Sequence, residues 1–357
     1  MVSDGGAPGT HLAPRARTCN LVLAGVLVLM LVAGSLADAT SSASAAGAAT
    51  SQVLGVYGGA AYPPTVPAFS ATLGTQPRFA MDFLDGSTWR TITKPRWPYS
   101  KWRGKGYTMI WGVNMLPDTY TPNTDPSQAG GSCYGLRQGA AGRFDHYFRT
   151  VAQNIVRNGF PVSIIRPGWE FNGNWFPWSA EGCASAYVRY FRNIVTTMRS
   201  VDGSHFTFEW NPTRGDLGVG NLAEYYPGNP YTDDIGLDVY DLEQRSYPGA
   251  RAEFQHMLTQ RYGLNWIATF AAAHHKPLVL PEWGLGFGTC SVSGQPISAS
   301  GQVCGGDNAT WVNLMANWID THDVVEVTYW DFGTSSVHRG RNPLTAAALA
   351  THFGVPK

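Results

Sequence analysis

Two segments, Ile164-Ile-Arg-Pro-Gly-Trp-Glu170-Phe-Asn-Gly-Asn-Trp175-Phe-Pro-Trp178 and Pro277-Leu-Val-Leu-Pro-Glu282-Trp-Gly284, each end an apolar run in one glutamate flanked by tryptophan. A carboxylate beside large apolar rings is costly to keep ionised, so such a group is either paired or used in chemistry. Two of them among aromatic side chains suggest an acid/base and a nucleophile acting on a glycosidic bond. The alternative for each is a structural hydrogen bond at a strand end.

Short β-rich runs alternate with amphipathic helical stretches along the chain after Ser51. This alternation is typical of a parallel α/β architecture, and eight such runs predict a (β/α)8 TIM barrel formed by residues 52–357 as one domain. The predicted strands are 53–57, 78–83, 107–111, 162–169, 206–210, 234–240, 278–282 and 325–330. The clearest predicted helices are 144–157, 184–199, 265–275 and 309–322.

Active residues of such barrels lie at the C-terminal ends of strands and in the loops that follow. Glu170 and Glu282 each close a predicted strand, and alternation along the strand puts Arg166 on the same side as Glu170, where it could orient that carboxyl. Arg166 and further residues at or just beyond strand ends are expected to bind substrate; the further residues are Asp82, Trp111, Trp169, Asn172, Trp175, Trp178, Asn211, Tyr240 and Trp330.

The composition limits the classes of partner. Formal charge is zero and only 14% of residues are charged, which argues against nucleic-acid binding because that function relies on a basic surface. Aromatic residues make up 13% of the chain, and their faces suit the C–H surfaces of sugars. One basic segment, Arg90 to Lys105, is interpreted either as a solvated loop or as a subsite for an anionic glycan.

The N-terminus has the pattern of an export signal. Arg15 and Arg17 precede an apolar run from Leu21 to Ala33, and Ala37-Asp-Ala39 has the form of a cleavage site. We expect residues 1–39 to be a signal peptide and residues 40–51 a disordered lead into the fold; an uncleaved membrane anchor is the alternative. The sequence therefore predicts a secreted protein, and we expect a monomer.

Export makes disulfide bonds plausible for the four cysteines that follow the signal. We expect Cys290 to pair with Cys304 and Cys133 with Cys183. None of these cysteines has the close spacing of a zinc site, so no metal and no cofactor is predicted.

Several motifs resemble glycoside hydrolase family 26, the β-mannanase-type barrels with catalytic glutamates on strands four and seven. They are Gly142-Arg-Phe-Asp145, Arg166-Pro with Glu170 to Trp178, Tyr190-Phe-Arg-Asn-Ile-Val195, Trp210-Asn-Pro212, Tyr225-Tyr-Pro-Gly228, Asp233 to Tyr240, and Pro281-Glu282-Trp-Gly284. The resemblance implies that Glu170 is the general acid/base and Glu282 the nucleophile of a retaining, endo-acting hydrolase. The residues allow the same roles, because apolar neighbours would raise the pKa of Glu170 while Tyr240 and Arg166 could donate to Glu282.

One position departs from the family pattern. Mannanases of this family typically carry histidine directly before the acid/base, and this chain has Trp169. Tryptophan offers a stacking plane and one N–H, so mannan, β-glucan and a bacterial cell-envelope glycan all remain open as substrates. A non-catalytic glycan-binding barrel is a second interpretation of the whole chain. A Ser- or Cys-dependent ester or amide hydrolase is a third, although no G-x-S-x-G elbow is present.

Overall fold

A computed structural model describes residues 53–120, 133–242, 247–286 and 306–354. Parallel strands in these ranges close into a barrel. They are β1 (Leu54–Tyr57), β2 (Phe79–Phe83), β3 (Thr108–Val113), β4 (Ile164–Pro167), β5 (Thr207–Trp210), β6 (Asp234–Gly236), β7 (Val239–Asp241), β8 (Leu278–Leu285) and β9 (Val324–Trp330).

Two short strands share the sixth position of the barrel. β6 pairs with β5 and with the first residues of β8, whereas β7 pairs with the second half of β8. Leu237 and Asp238 separate the two strands, and β1 pairs with both β2 and β9. The nine segments therefore fill eight positions, which confirms the predicted (β/α)8 fold.

Helices connect the strands and cover the outside of the barrel. Their bounds are α1 (Thr65–Leu73), α2 (Trp89–Thr93), α3 (Pro98–Trp102), α4 (Tyr134–Ala140), α5 (Asp145–Arg157), α6 (Ala184–Arg199), α7 (Ala250–Thr259), α8 (Leu264–Ala273), α9 (Ala309–Thr321) and α10 (Pro343–Phe353). The longest, α6, buries Tyr187, Phe191, Ile194 and Met198 at helical spacing, so one apolar stripe faces the sheet.

The fourth strand ends earlier than the sequence predicts. β4 stops at Pro167, and Gly168 (φ +59°) and Glu170 (φ +50°) both adopt left-handed backbone conformations. A side chain at position 168 would collide with Met115, because a Cβ there would lie 2.2 Å from its sulfur. The simple alternation used to place Glu170 therefore does not extend past Pro167, and a turn determines its direction.

The predicted signal (residues 1–39) and lead (residues 40–51) lie outside the described residues. Within the part of the chain that the structure describes, no helix combines the length and apolar character that a membrane span requires.

A disulfide joins Cys133, which immediately precedes α4, to Cys183, which immediately precedes α6, across 50 positions of sequence. This is the predicted pairing. The other predicted pair, Cys290 with Cys304, lies outside the described residues.

Replacing both Cys133 and Cys183 with serine should lower the free energy of unfolding by about 2 to 4 kcal/mol, because the open chain gains conformational freedom when unfolded. Urea denaturation with and without a reducing agent measures this change. The unmodified protein should lose stability on reduction, whereas the double variant should lose less. Equal denaturation midpoints for the oxidised protein and the variant would contradict a stabilising role for this bond.

Candidate active site

A fully buried arginine, Arg166 of β4, organises the C-terminal end of the barrel. Its Nη1 donates to Glu282 Oε1 at 2.8 Å, its Nη2 to Asp238 Oδ2 at 2.9 Å, and its Nε to Asn211 Oδ1 at 2.9 Å. These partners belong to three different strands or the segments adjoining them. One guanidinium therefore fixes the relative positions of the β4, β5, β6–β7 and β8 units through charge-assisted bonds.

Glu282 lies within β8, where the pairing with β9 shifts register between Leu280 and Trp283. Such an irregularity re-aims a side chain relative to its neighbours. The Tyr240 hydroxyl donates to Glu282 Oε2 at 2.7 Å, while Arg166 donates to the other oxygen. Each carboxylate oxygen thus accepts one hydrogen bond, and together the two bonds fix the position of the carboxyl group.

Glu170 sits in the turn after β4 in a different environment. Its backbone N–H donates to Asn211 O at 2.8 Å, and its Oε2 accepts from the Trp175 indole N–H at 2.9 Å. Burial and the nearby Glu282 carboxylate raise the pKa of Glu170 to about 7, and the Trp175 hydrogen bond opposes that rise. The carboxyl can therefore hold a proton near neutral pH.

Arg166 occupies one of the two roles that the sequence predicts for it, as a donor to Glu282, and not the other, which is to orient the Glu170 carboxyl. Its hydrogen bonds go to Glu282, Asp238 and Asn211, and it influences Glu170 through its charge. The reason is the early end of β4, which moves Glu170 away from the face that Arg166 occupies.

The two glutamates line one cavity of about 460 Å³ whose walls are mostly aromatic. Trp330 packs on Tyr57 with ring centres 4.1 Å apart, and Phe83 packs on Trp169 at 4.9 Å. Polar groups are few along this surface. The lining residues are Tyr57, Phe83, Trp169, Glu170, Trp175, Phe176, Thr213, Tyr240, Leu242, Glu282 and Trp330.

Six of the residues singled out from the sequence line this cavity: Trp169, Glu170, Trp175, Tyr240, Glu282 and Trp330. Four others lie behind it as supports. Asn172 exchanges two hydrogen bonds with the Thr213 backbone, and Trp178 donates to Trp169 O. Asn211 accepts from Arg166, and Asp82 accepts from the backbone N–H of Ala61 at 2.8 Å.

The prediction that Trp111 contacts substrate is wrong. Its ring is fully buried and packs edge-on against Tyr99 and Phe160, which belong to the helical layer and the loop before β4. The neighbouring Ile110 instead belongs to the barrel-interior cluster with Met81. Trp111 therefore points outward from the barrel, and alternation along β3 explains the error.

Several cavity residues escaped the sequence analysis: Tyr57, Phe83, Phe176, Thr213 and Leu242. Tyr57 and Phe83 end β1 and β2, so the strand-end rule could have identified them. Thr213 and Leu242 follow β5 and β7 in segments without a distinctive motif.

The basic segment does not contribute to the cavity. It forms α2, α3 and the flanking turns, where Trp97 is 59% exposed and its ring lies 6.0 Å from the Arg96 guanidinium. Among the described residues no group of three or more His, Cys, Asp or Glu side chains is arranged to hold a metal ion.

Comparison with known proteins finds a match to one family over part of the chain. Residues 143–269 match the model of glycosyl hydrolase family 26, a segment that includes Glu170 and ends before Glu282. A mannan endo-1,4-β-mannosidase of Bifidobacterium adolescentis is 37% identical over 113 residues, covering 29% of this chain and 11% of that protein. Endoglucanase H of Acetivibrio thermocellus is 25% identical over 187 residues, covering 50% of this chain and 18% of that protein. The chain thus aligns with less than a fifth of either relative.

Solved structures extend the likeness to the whole barrel. A family 26 β-mannanase from Bacteroides ovatus superposes with a TM-score of 0.53 at 14% identity, covering 88% of this chain and 92% of that one. The family 26 domain of an endo-β-mannanase/endo-β-glucanase from Prevotella bryantii gives 0.51 at 15% identity, with coverages of 87% and 94%. At these identities the solved structures establish the fold alone. The family model matches residues 143–269, and this match confirms the resemblance to glycoside hydrolase family 26 that the sequence motifs indicate.

Proposed function

We propose that this protein is an exported, retaining, endo-acting glycoside hydrolase. One observation carries the proposal: the two carboxyl groups that line one aromatic cavity have different surroundings. Glu282 has a donor on each oxygen, whereas the pKa of Glu170 is raised to about 7. A carboxyl that holds its proton near neutral pH is suited to act as the acid, and the carboxyl that two donors fix in place is suited to act as the nucleophile.

The chemistry proceeds in two steps. Glu170 gives its proton to the glycosidic oxygen while Glu282 attacks the anomeric carbon, so the bond to the leaving sugar breaks as a glycosyl ester forms. Glu170, now ionised, removes a proton from water, and that water displaces Glu282 from the anomeric carbon. Such double displacement works with carboxyl groups about 5 to 5.5 Å apart.

The shape and chemistry of the cavity suggest a β-glucan as substrate. Mannose carries an axial 2-hydroxyl that needs a polar partner, whereas the hydroxyls of a β-glucosyl unit are equatorial and leave two flat apolar faces. Trp169 supplies a ring in place of a polar histidine, and it lies between Phe83 and Phe176. Endoglucanase activity in the name of the Acetivibrio relative agrees with this choice.

Export is proposed on the N-terminal pattern alone. The mature protein would then begin at Thr40, which the mass of the secreted chain tests.

Replacing Glu282 with alanine should abolish hydrolysis, because no group then attacks the anomeric carbon. Sodium azide should partly restore turnover with an activated aryl glycoside and give a glycosyl azide of inverted configuration, since the small anion can enter the vacated space. Nuclear magnetic resonance of the product reads this configuration. Glu181→Ala, at an exposed glutamate, is the matched control and should remain active. Full activity of the Glu282 variant without azide would refute its assignment as nucleophile.

The pH dependence should report Glu170. Because the acid must be protonated for the first step, kcat/KM should fall as pH rises through about 7, the raised pKa of this carboxyl. Trp175→Phe removes the N–H that stabilises the ionised form, so the alkaline limb should move to higher pH. Trp97→Phe should leave the limb in place. Glu170→Ala should remove the limb and lower the rate on unactivated substrates by about 10² to 10⁴-fold. An unshifted limb in Trp175→Phe would mean that another group titrates.

Purified protein should hydrolyse β-glucans faster than unsubstituted β-mannan. Trp169→His should change the ratio of the two kcat/KM values towards mannan by about tenfold, the effect of one added hydrogen bond. Reducing-sugar release from a panel of defined polysaccharides measures both. A clear preference of the unmodified protein for mannan would show that Trp169 does not select against it.

A further inference from the structure

Phe332 is a large apolar side chain exposed at the rim of the cavity. It lies two residues after Trp330, which ends β9 and lines the cavity, and 43% of its surface is exposed. Its ring contacts Tyr57, another lining residue, edge-on with centres 5.9 Å apart. The ring therefore continues the aromatic wall outward from the cavity.

The Phe332 ring packs closely against Gly59 in the loop after β1. A Cβ added to Gly59 would lie 3.2 Å from two ring carbons of Phe332, and Gly59 has φ +115°, so a glycine suits this position on both counts. The loop is held at two points. Asp82 accepts from the Ala61 N–H at 2.8 Å, and the Thr65 hydroxyl donates to Gly58 O at 2.9 Å.

The backbone that carries Phe332 is also fixed. The preceding Asp331 is fully buried, and its N–H donates to Tyr57 O at 2.8 Å. Its carboxylate accepts from the Val337 N–H and from His338 Nδ1, each at 2.6 Å. Little conformational freedom remains in this segment. A ligand that stacks on the Phe332 ring therefore loses little binding free energy to ordering the segment.

A single exposed aromatic ring is common on protein surfaces and needs no function. Trp97 is such a case, since it is more exposed than Phe332 and its ring contact is with the neighbouring Arg96. Phe332 differs because Tyr57 connects it to Trp330 within the cavity. That continuity distinguishes a subsite from an isolated ring.

The proposed roles of Glu170 and Glu282 indicate which end of the substrate reaches Phe332. Glu170 must face the leaving oxygen, so Trp175, which donates to Glu170, marks the side of the departing sugar. Trp330 instead contacts Tyr240, which donates to the nucleophile, with ring centres 6.1 Å apart. The wall that ends in Phe332 thus lies on the side of the sugar that becomes attached to Glu282.

We propose that Phe332, seated on Gly59 and Tyr57, is a stacking platform for a pyranose ring on the non-reducing side of the cleaved bond. The assignment of Phe332 to the non-reducing side of the substrate rests on the proposed hydrolase function. The platform would bind a sugar beyond the one at the nucleophile and would favour longer substrates over short ones.

Phe332→Ala should lower kcat/KM for a β-1,4-linked glucose hexasaccharide by about tenfold, a size typical of one aromatic contact. It should leave kcat/KM for 4-nitrophenyl β-glucoside unchanged, because one sugar does not reach the ring. Phe332→Tyr should keep the activity on the hexasaccharide, whereas Phe332→Leu should lose much of it. Trp97→Ala is the control, and the mannose counterparts are run in parallel.

Product analysis tests the direction. With a hexasaccharide labelled at its reducing end, Phe332→Ala should shift cleavage so that fewer sugars lie on the non-reducing side of the broken bond. Equal loss on the aryl glucoside would indicate a structural effect and overturn the proposal, as would unchanged rates and products on every substrate.

Binding separates this inference from the hydrolase proposal. In a Glu282→Ala background, calorimetry should show about tenfold weaker hexasaccharide binding when Phe332 is also replaced by alanine, and no change for Trp97→Ala. If the unmodified protein hydrolyses nothing but this difference is present, the hydrolase proposal fails and the platform stands. If hydrolysis is observed and the binding difference is absent, only the platform fails.

Discussion

The buried charge of Arg166 is the constraint on which the rest of the site depends. A guanidinium without water is tolerated only when carboxylates and carbonyl oxygens surround it, and here Glu282, Asp238 and Asn211 do so. Glu209 lies at 3.6 Å below it, and burial and the nearby Glu326 raise the pKa of that carboxyl. The same ion pairs that allow the arginine to be buried inside the barrel therefore hold Glu282 in place.

The cavity offers a ligand mostly aromatic surface and a small number of polar atoms. Trp169 is flanked by Phe83, Phe176 and Trp178, so its indole has little freedom to reorient. Stacking on such rings recognises the shape of a sugar, but it distinguishes hydroxyl configurations poorly. Under the proposed function, discrimination would then depend on steric exclusion and on the few polar groups near the glutamates, and position 169 would contribute to the choice of substrate.

Hydrophobic pattern and turn chemistry account for what the sequence could predict. Runs such as 278–282 and 325–330 correspond closely to β8 and β9, because buried parallel strands have a strong apolar pattern. The end of β4 could not be located from pattern alone, since the left-handed backbone at Gly168 and Glu170 depends on close packing with Met115. Whether the Trp111 side chain points into or out of the barrel depends on the register of β3, which a run of five residues does not specify. Glu282 is an expected partner of Arg166, but Asn211 and Asp238 are not, because they lie in distant segments that meet Arg166 only in the folded chain.

The disulfide has a topological consequence that concerns proteolysis. Cys133 and Cys183 close a covalent ring that contains α4, α5, β4 and the turn bearing Glu170, whereas Glu282 lies outside it. A single peptide bond cut anywhere between the two cysteines leaves both pieces joined through sulfur. The segment that holds Glu170 therefore cannot diffuse away from the barrel after one cut, and the broken chain can still pair with its neighbours. That covalent connection would preserve the cavity after a single proteolytic cleavage within the ring.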